Sequence, residues 1–183
     1  MNDIVTPDRL SKDGKKAYQH GDYIEAAKTF EAARQAYLES NDELNAAEMA
    51  NNASVAHLQA DDAEAAYKAA EGTPEIFARA GDLRRQGMAL GNLAAALEAM
   101  EKAGEALDLY QQSADVLAQA GEDQMRASVM QSLSMLQFRE GRQLQALATM
   151  QSGVEGVKHP TPKQSFLKQL LRIPMQMATR GKP

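Results

Sequence analysis

The sequence predicts an all-α chain: a right-handed superhelix (α-solenoid) of four helix-turn-helix repeats, closed by a C-terminal capping helix. Three observations carry this reading. Alanine returns every forty residues, at Ala26, Ala66, Ala106 and Ala146, inside a pattern that returns with it. Turn-forming pairs recur in the same register, between and within the units. No stretch of strand length alternates with β-branched residues, so no sheet is expected. A period of this size marks stacked supersecondary units, whose working part is an extended surface rather than a catalytic cleft.

Forty residues suit two helices of ordinary length joined by short turns. Small residues recur at Gly14, Ser54, Ala94 and Ser134 on the first helix of each pair, and the four alanines recur on the second. A small residue on each helix allows close approach. Larger side chains then fill the space between neighbouring pairs: Phe30, Tyr110 and Met150 (with Ala70 as the exception), and Tyr37, Phe77, Leu117 and Val157.

Within pairs the turns fall at Gly21-Asp22, Asp61-Asp62, Glu101-Lys102 and Gly141-Arg142. Between pairs they fall at Asn41-Asp42, Gly81-Asp82 and Gly121-Glu122. Gly or Asn accepts a left-handed helix end, and an acidic residue favours the start of the next helix. The first helices, A, are therefore expected at about 7–20, 43–60, 83–100 and 123–140. The second helices, B, follow at about 22–40, 62–80, 102–120 and 142–157, with interiors of good helix formers.

Two irregular points follow. Gly72-Thr73-Pro74-Glu75 stands where the second B helix should continue, and proline is incompatible with a helix interior. That helix is expected to kink or split near Gly72, with Thr73 capping a fresh start and Pro74 at its first position. After His159-Pro160, the run Thr161-Pro162-Lys163-Gln164 has the pattern of a capping box. Phe166, Leu167, Leu170 and Leu171 then form an apolar stripe, so residues 162–173 are expected to cover the last apolar face of the array. The organisation is thus a lead at 1–6, repeats at 7–42, 43–82, 83–122 and 123–158, a capping segment at 159–174 and a basic flexible tail at 175–183.

Charge is unevenly divided. Residues 161–183 carry five basic side chains and no acidic one, whereas the other 160 residues carry 15 basic and 25 acidic. An acidic body argues against nucleic acid, which needs a positive footprint. With no cysteine, no disulfide, thiol nucleophile or Cys-ligated metal is possible, and a cytoplasmic setting is expected. MNDIVTPDRL has neither a basic start nor an apolar run, so no secretory signal is read there. No apolar stretch approaches the roughly 18 residues of a membrane span.

His20, His57 and His159 lie in different repeats without metal-ligand spacing, and His57 faces its helix pair as a structural residue would. Acidic pairs such as Asp61-Asp62 and Glu122-Asp123 sit at helix starts, where they stabilise the macrodipole. No phosphate-binding glycine loop, HExxH or GxSxG occurs. No catalytic residue, metal or cofactor is expected.

Leu10, Gly14, Gly21-Asp22-Tyr23, Ala26, Phe30 and Ala33, together with LGNLAAALEAMEKAGEALDLY from Leu90 to Tyr110, resemble the tetratricopeptide repeat. The usual repeat is 34 residues. A forty-residue period is similar to the long-helix form of the Pins/LGN, Rap-regulator and kinesin-light-chain groups, and the resemblance covers about 7–157. It implies that the A helices line a concave groove. The inward positions carried over are Lys12, Lys15, Asn51, Asn52, Val55, Met88, Asn92, Gln131, Met135 and Phe138. An Asn side chain donates and accepts at once, which suits a peptide backbone, and Met is an adaptable apolar contact. Leu90-Gly91-Asn92 matches the Pins/LGN helix-A motif, where such Asn residues hold partner segments.

A carboxylate clamp of the kind that binds chaperone tails is not supplied. Its positions hold Ser11, Lys15, Asn52, Met88 and Asn92 in one register, and Asn51, Val55, Asn92, Ser128 and Ser132 in the other. The function expected is therefore a non-catalytic interaction scaffold, an adaptor or assembly factor, that binds a partner's peptide segment in its groove. The alternative is a self-associating or membrane-peripheral scaffold that uses the basic amphipathic segment at 162–183.

Overall fold

Three residues make each turn between consecutive repeat helices, save the first, which takes two, and one further break divides the second B helix. The computed structural model describes residues 6–170. The helices are α1 (Pro7–His20), α2 (Tyr23–Glu39), α3 (Glu43–Gln59), α4 (Ala63–Ala70), α5 (Thr73–Arg79), α6 (Leu83–Ala99), α7 (Ala103–Gln119), α8 (Asp123–Arg139) and α9 (Gln143–Glu155). A further helix, α10, runs over 162–170. No strand occurs among the described residues. Helices pack on near neighbours in sequence, α1 on α2, α2 on α3 and so on to α8 on α9, as a solenoid requires.

The turns share one chemistry. Gly21, Asn41, Asp61, Gly81, Glu101, Gly121 and Gly141 all have φ between 59° and 85°. At each, the left-handed residue and its successor donate N–H groups back to the helix just ended. Gly21 bonds Tyr18 and Asp22 bonds Ala17; Glu101 bonds Glu98 and Lys102 bonds Leu97. These paired bonds close the orphan carbonyls in a Schellman motif. The successor also begins the next helix. At Asp42, Asp62 and Asp82 its carboxylate accepts the N–H of Asn45, Ala65 and Arg85. Asp22, Lys102, Glu122 and Arg142 make no such side-chain cap.

The core is built from small side chains. Ala26, Ala66 and Ala106 are fully buried and Ala146 nearly so. A Cβ on Gly14 would lie 2.8 Å from the Phe30 ring, and one on Gly87 would lie 2.6 Å from Leu117 Cγ. Two of the buried serines bond across their helix pairs: Ser113 Oγ donates to the Gly87 carbonyl and Ser134 Oγ to the Ala146 carbonyl, each at 2.7 Å.

The second B helix splits as expected into α4 and α5, with Gly72 at φ 76° between them. Thr73 does not act as the expected cap. It stands in the first turn of α5, buried against α3, with its hydroxyl 2.7 Å from the Ala70 carbonyl and 3.1 Å from Asn51 Oδ1. Burial decides this, since a hydroxyl taken out of water must find partners wherever they lie.

At the C-terminal end the capping box forms. Gln164 Oε1 accepts the Thr161 N–H at 2.8 Å, and Thr161 Oγ1 accepts the Gln164 N–H at 3.3 Å. Gln164 also bonds Gln124, one full period earlier, at 3.0 Å. α10 therefore starts in the register of a fifth A helix. The remainder of the expected capping helix to 173, the tail at 175–183 and residues 1–5 of the lead lie outside the described residues.

Three predictions test these devices. Gly87→Ala forces Leu117 to move and is expected to cost about 1–3 kcal/mol in urea unfolding. Glu101→Gly relieves a left-handed non-glycine residue and is expected to gain about 0.5–1 kcal/mol in the same measurement.

The third concerns Asp82. The Arg85 backbone N–H, and then its guanidinium, hold this carboxyl below its ordinary value of 3.8. A depressed folded pKa stabilises above the unfolded value, and the benefit is lost as pH falls through the folded one. Asp82→Ala is expected to cost about 1 kcal/mol at neutral pH. The difference from wild type should shrink in denaturation curves taken at progressively lower acid pH.

Candidate functional site on the inner face of the A helices

The forty-residue period turns single positions into rows that run along the array. On the A helices α1, α3, α6 and α8, one row is Lys12, Asn52, Asn92 and Ser132. The row beside it is Lys15, Val55, Ala95 and Met135, and on its other side lie Asp8, Glu48, Met88 and Ser128. Steps of three and four residues keep these rows together on one face. All of these positions are at least partly open to solvent. Asn52 and Asn92 are half-buried, and no hydrogen bond to either amide is found among the described residues. Between α1 and α3 the face deepens into a cleft of about 190 Å³ lined by Lys15, Tyr18, Asn52 and Val55, with Phe30 at its floor.

Charges in the middle of this face are largely paired within the fold. Glu48 Oε2 lies 3.3 Å from Arg85, which also binds Asp82 Oδ2 at 2.6 Å and places its guanidinium 5.2 Å from the centre of the Phe77 ring. Glu98 accepts the Tyr110 hydroxyl at 2.7 Å and pairs with Arg139, tying α6, α7 and α8 together. Burial and the Glu98 carboxylate push the Tyr110 phenol well above its ordinary value. The Tyr37 phenol, hydrogen-bonded to Asp8 at 2.6 Å, is pushed up to about 12. Lys12 and Lys15 are exposed, and no acidic partner lies within ion-pair distance of either among the described residues.

Seven of the ten positions expected from the sequence belong to these rows: Lys12, Lys15, Asn52, Val55, Met88, Asn92 and Met135. Three lie outside them. Asn51 is buried, with Oδ1 against the Thr73 hydroxyl, and joins α3 to α5. Of its row, Ser11 and Asn51 are buried and Gly91 is half-buried, whereas Gln131 is exposed. A Cβ on Gly91 would meet Ser113 Oγ at 3.3 Å and Val129 Cγ2 at 3.6 Å. Gln131 lines the crevice where α10 approaches Ala127, Met150 and Val154.

Met135 and Phe138, 56% and 63% exposed, line a separate apolar cleft of about 560 Å³ with Leu144, Leu147 and Met150 of α9. Sequence reading missed the α9 side of this cleft. The signal was available: Leu147 and Met150 occupy the positions of Leu107 and Tyr110, which α8 covers with Leu133 and Leu136.

His57 Nε2 lies 2.8 Å from Glu31 Oε1 and ties α3 to α2, the structural role read for it. No cluster of three potential metal ligands is found among the described residues. No helix among them is long and apolar enough to cross a membrane.

Residues 85–158 match the tetratricopeptide repeat family model. No curated protein matches the sequence. Among solved structures, BtubC (BKLC) from P. vanneervenii superposes with a TM-score of 0.73 at 17% identity, over 85% of this chain and 66% of that one. The apo form of RapI superposes with a TM-score of 0.72 at 15% identity, over 96% of this chain and 50% of that one. The chain thus spans just under two thirds of the first neighbour and half of the second. At these identities the likeness is one of fold. The chain is an α-solenoid whose residues 85–158 match the tetratricopeptide repeat model, and the same forty-residue helix-pair register runs back to Pro7.

Proposed function

We propose that this protein is a non-catalytic scaffold that binds an extended segment of a partner protein along the inner face of its A helices. The observation that carries the reading is the Asn52–Asn92 row. Two half-buried amides stand one repeat apart on a continuous face, and each can donate to and accept from a peptide backbone. Val55 and Met88 beside them supply apolar contacts. Lys12 and Lys15 put positive charge at the first repeat, so the segment's end lying there is acidic. The acidic character of residues 1–160 argues against nucleic acid as the partner. A cytoplasmic adaptor or assembly factor is the role that fits.

Peptides selected from a random display library against the intact protein provide the probe. The Asn52→Ala/Asn92→Ala double variant is expected to bind them at least about tenfold more weakly, as loss of two hydrogen-bonding groups predicts. Its circular dichroism and melting transition should be unchanged, because neither amide has a hydrogen bond among the described residues. Undiminished binding by the double variant would overturn the groove assignment.

A further inference from the structure

The two ends of the array have opposite chemistry. Within the solenoid, each A helix covers the preceding pair through three rows: Met49, Ala89 and Val129; Ala53, Leu93 and Leu133; Ala56, Ala96 and Leu136. In α1 the same rows hold Arg9, Asp13 and Lys16. Asp13 pairs with Arg9 at 3.9 Å and with Lys16 at 3.7 Å. The N-terminal end is thus closed to stacking by charge, since burying these groups under an apolar surface would cost far more than their exposed pairing returns.

The C-terminal end is the reverse. The face of α8 and α9 that corresponds to the one α8 covers in repeat 3 carries Met135, Phe138, Leu144, Leu147 and Met150. Leu144 is 86% exposed. Among the described residues, α10 meets repeat 4 near Ala127, Met150 and Val154 and leaves Leu144 exposed.

We propose that this C-terminal face joins two copies of the chain about a two-fold axis. A head-to-tail contact would press the apolar cleft onto Arg9, Asp13 and Lys16, so copies cannot propagate into a filament; like end must meet like end. The face is suited to that. Phe138 and Leu144 project beside a cleft of about 560 Å³ that can receive the same side chains from the partner. Arg139, the charged residue lining the cleft, is already paired with Glu98 and does not oppose a second copy.

At the rim, Glu140 and Arg142 flank the left-handed Gly141, and both are exposed with opposite sign. A two-fold operation sets Glu140 of one copy against Arg142 of the other and the reverse, which is electrostatic self-complementarity. A reversible dimer is expected of this apolar face and its self-complementary rim. The surface borders the Asn52–Asn92 face at Met135, and the inference does not depend on what that face binds.

Sedimentation equilibrium of the full chain tests it. The weight-average mass is expected to rise with concentration towards twice the monomer and no further. Leu144→Asp, at an exposed position, should keep the helical circular dichroism and abolish the rise. Glu140→Arg and Arg142→Glu should each weaken association at least about tenfold by opposing like charges. The paired exchange Glu140→Arg/Arg142→Glu should restore it, a recovery that only a contact between these two positions produces. A chain that stays monomeric at every concentration overturns the proposal. So does a dimer indifferent to Leu144→Asp and the charge exchanges.

Discussion

Close approach of helices sets the geometry on which the rest of the molecule depends. Ala26, Ala66, Ala106 and Ala146, and Gly14, Ser54, Ala94 and Ser134 on the facing helices, are small residues buried where the helices meet, with the Phe30 ring lying against Gly14. Dispersion acts over short range, so this spacing lets modest side chains make dense contact. An array with four Phe and no Trp therefore needs no bulky core. The same constraint fixes the orientation of each pair, and with it the direction in which the A-helix rows point. The inner face is a consequence of the packing, since Asn52 and Asn92 align only because each repeat is set on the last in the same way.

The turns supply the second fixed quantity. A left-handed residue followed by the first cap of the next helix reverses the chain in two positions, and the arrangement recurs at seven places. Asp61 and Glu101 adopt it although neither is glycine or asparagine. The paired N–H bonds to the preceding helix, and the stacking that follows, hold those residues where their intrinsic preference would not. The break at Gly72 uses the same left-handed step within a helix. It frees α5 to pack on α3 and α6 at its own angle.

Most of the helices and turns were legible in the sequence because their signals are local: a turn residue, a cap and a periodic small side chain at fixed offsets. What a helix face meets is not local. Asn51 and Asn52 are adjacent in sequence and alike in chemistry, yet a step of about 100° around the helix sends one into a buried bond with Thr73 and leaves the other open. Thr73 looked like a cap until α3 buried it. Gln131, Met135 and Phe138 hold the register of their counterparts in earlier repeats. Their surroundings change because the fourth repeat is covered differently from the third. A forty-residue register predicts equivalence of position; environment at the last unit breaks that equivalence.

Neighbour-only packing also has a consequence for how the chain is made. Among the described residues, the longest hydrogen-bonded span joins Arg139 to Glu98, 41 positions apart. Each unit can therefore complete its contacts soon after the next has been synthesised, without waiting for a distant segment. With loop closures this short, folding keeps pace with translation. Of the four repeats, the one with the charged outer side of α1 is made before the others, and that side can stay in water while they are added. The apolar face of α8 and α9 belongs to the repeat made after the other three, so it is exposed during none of their synthesis.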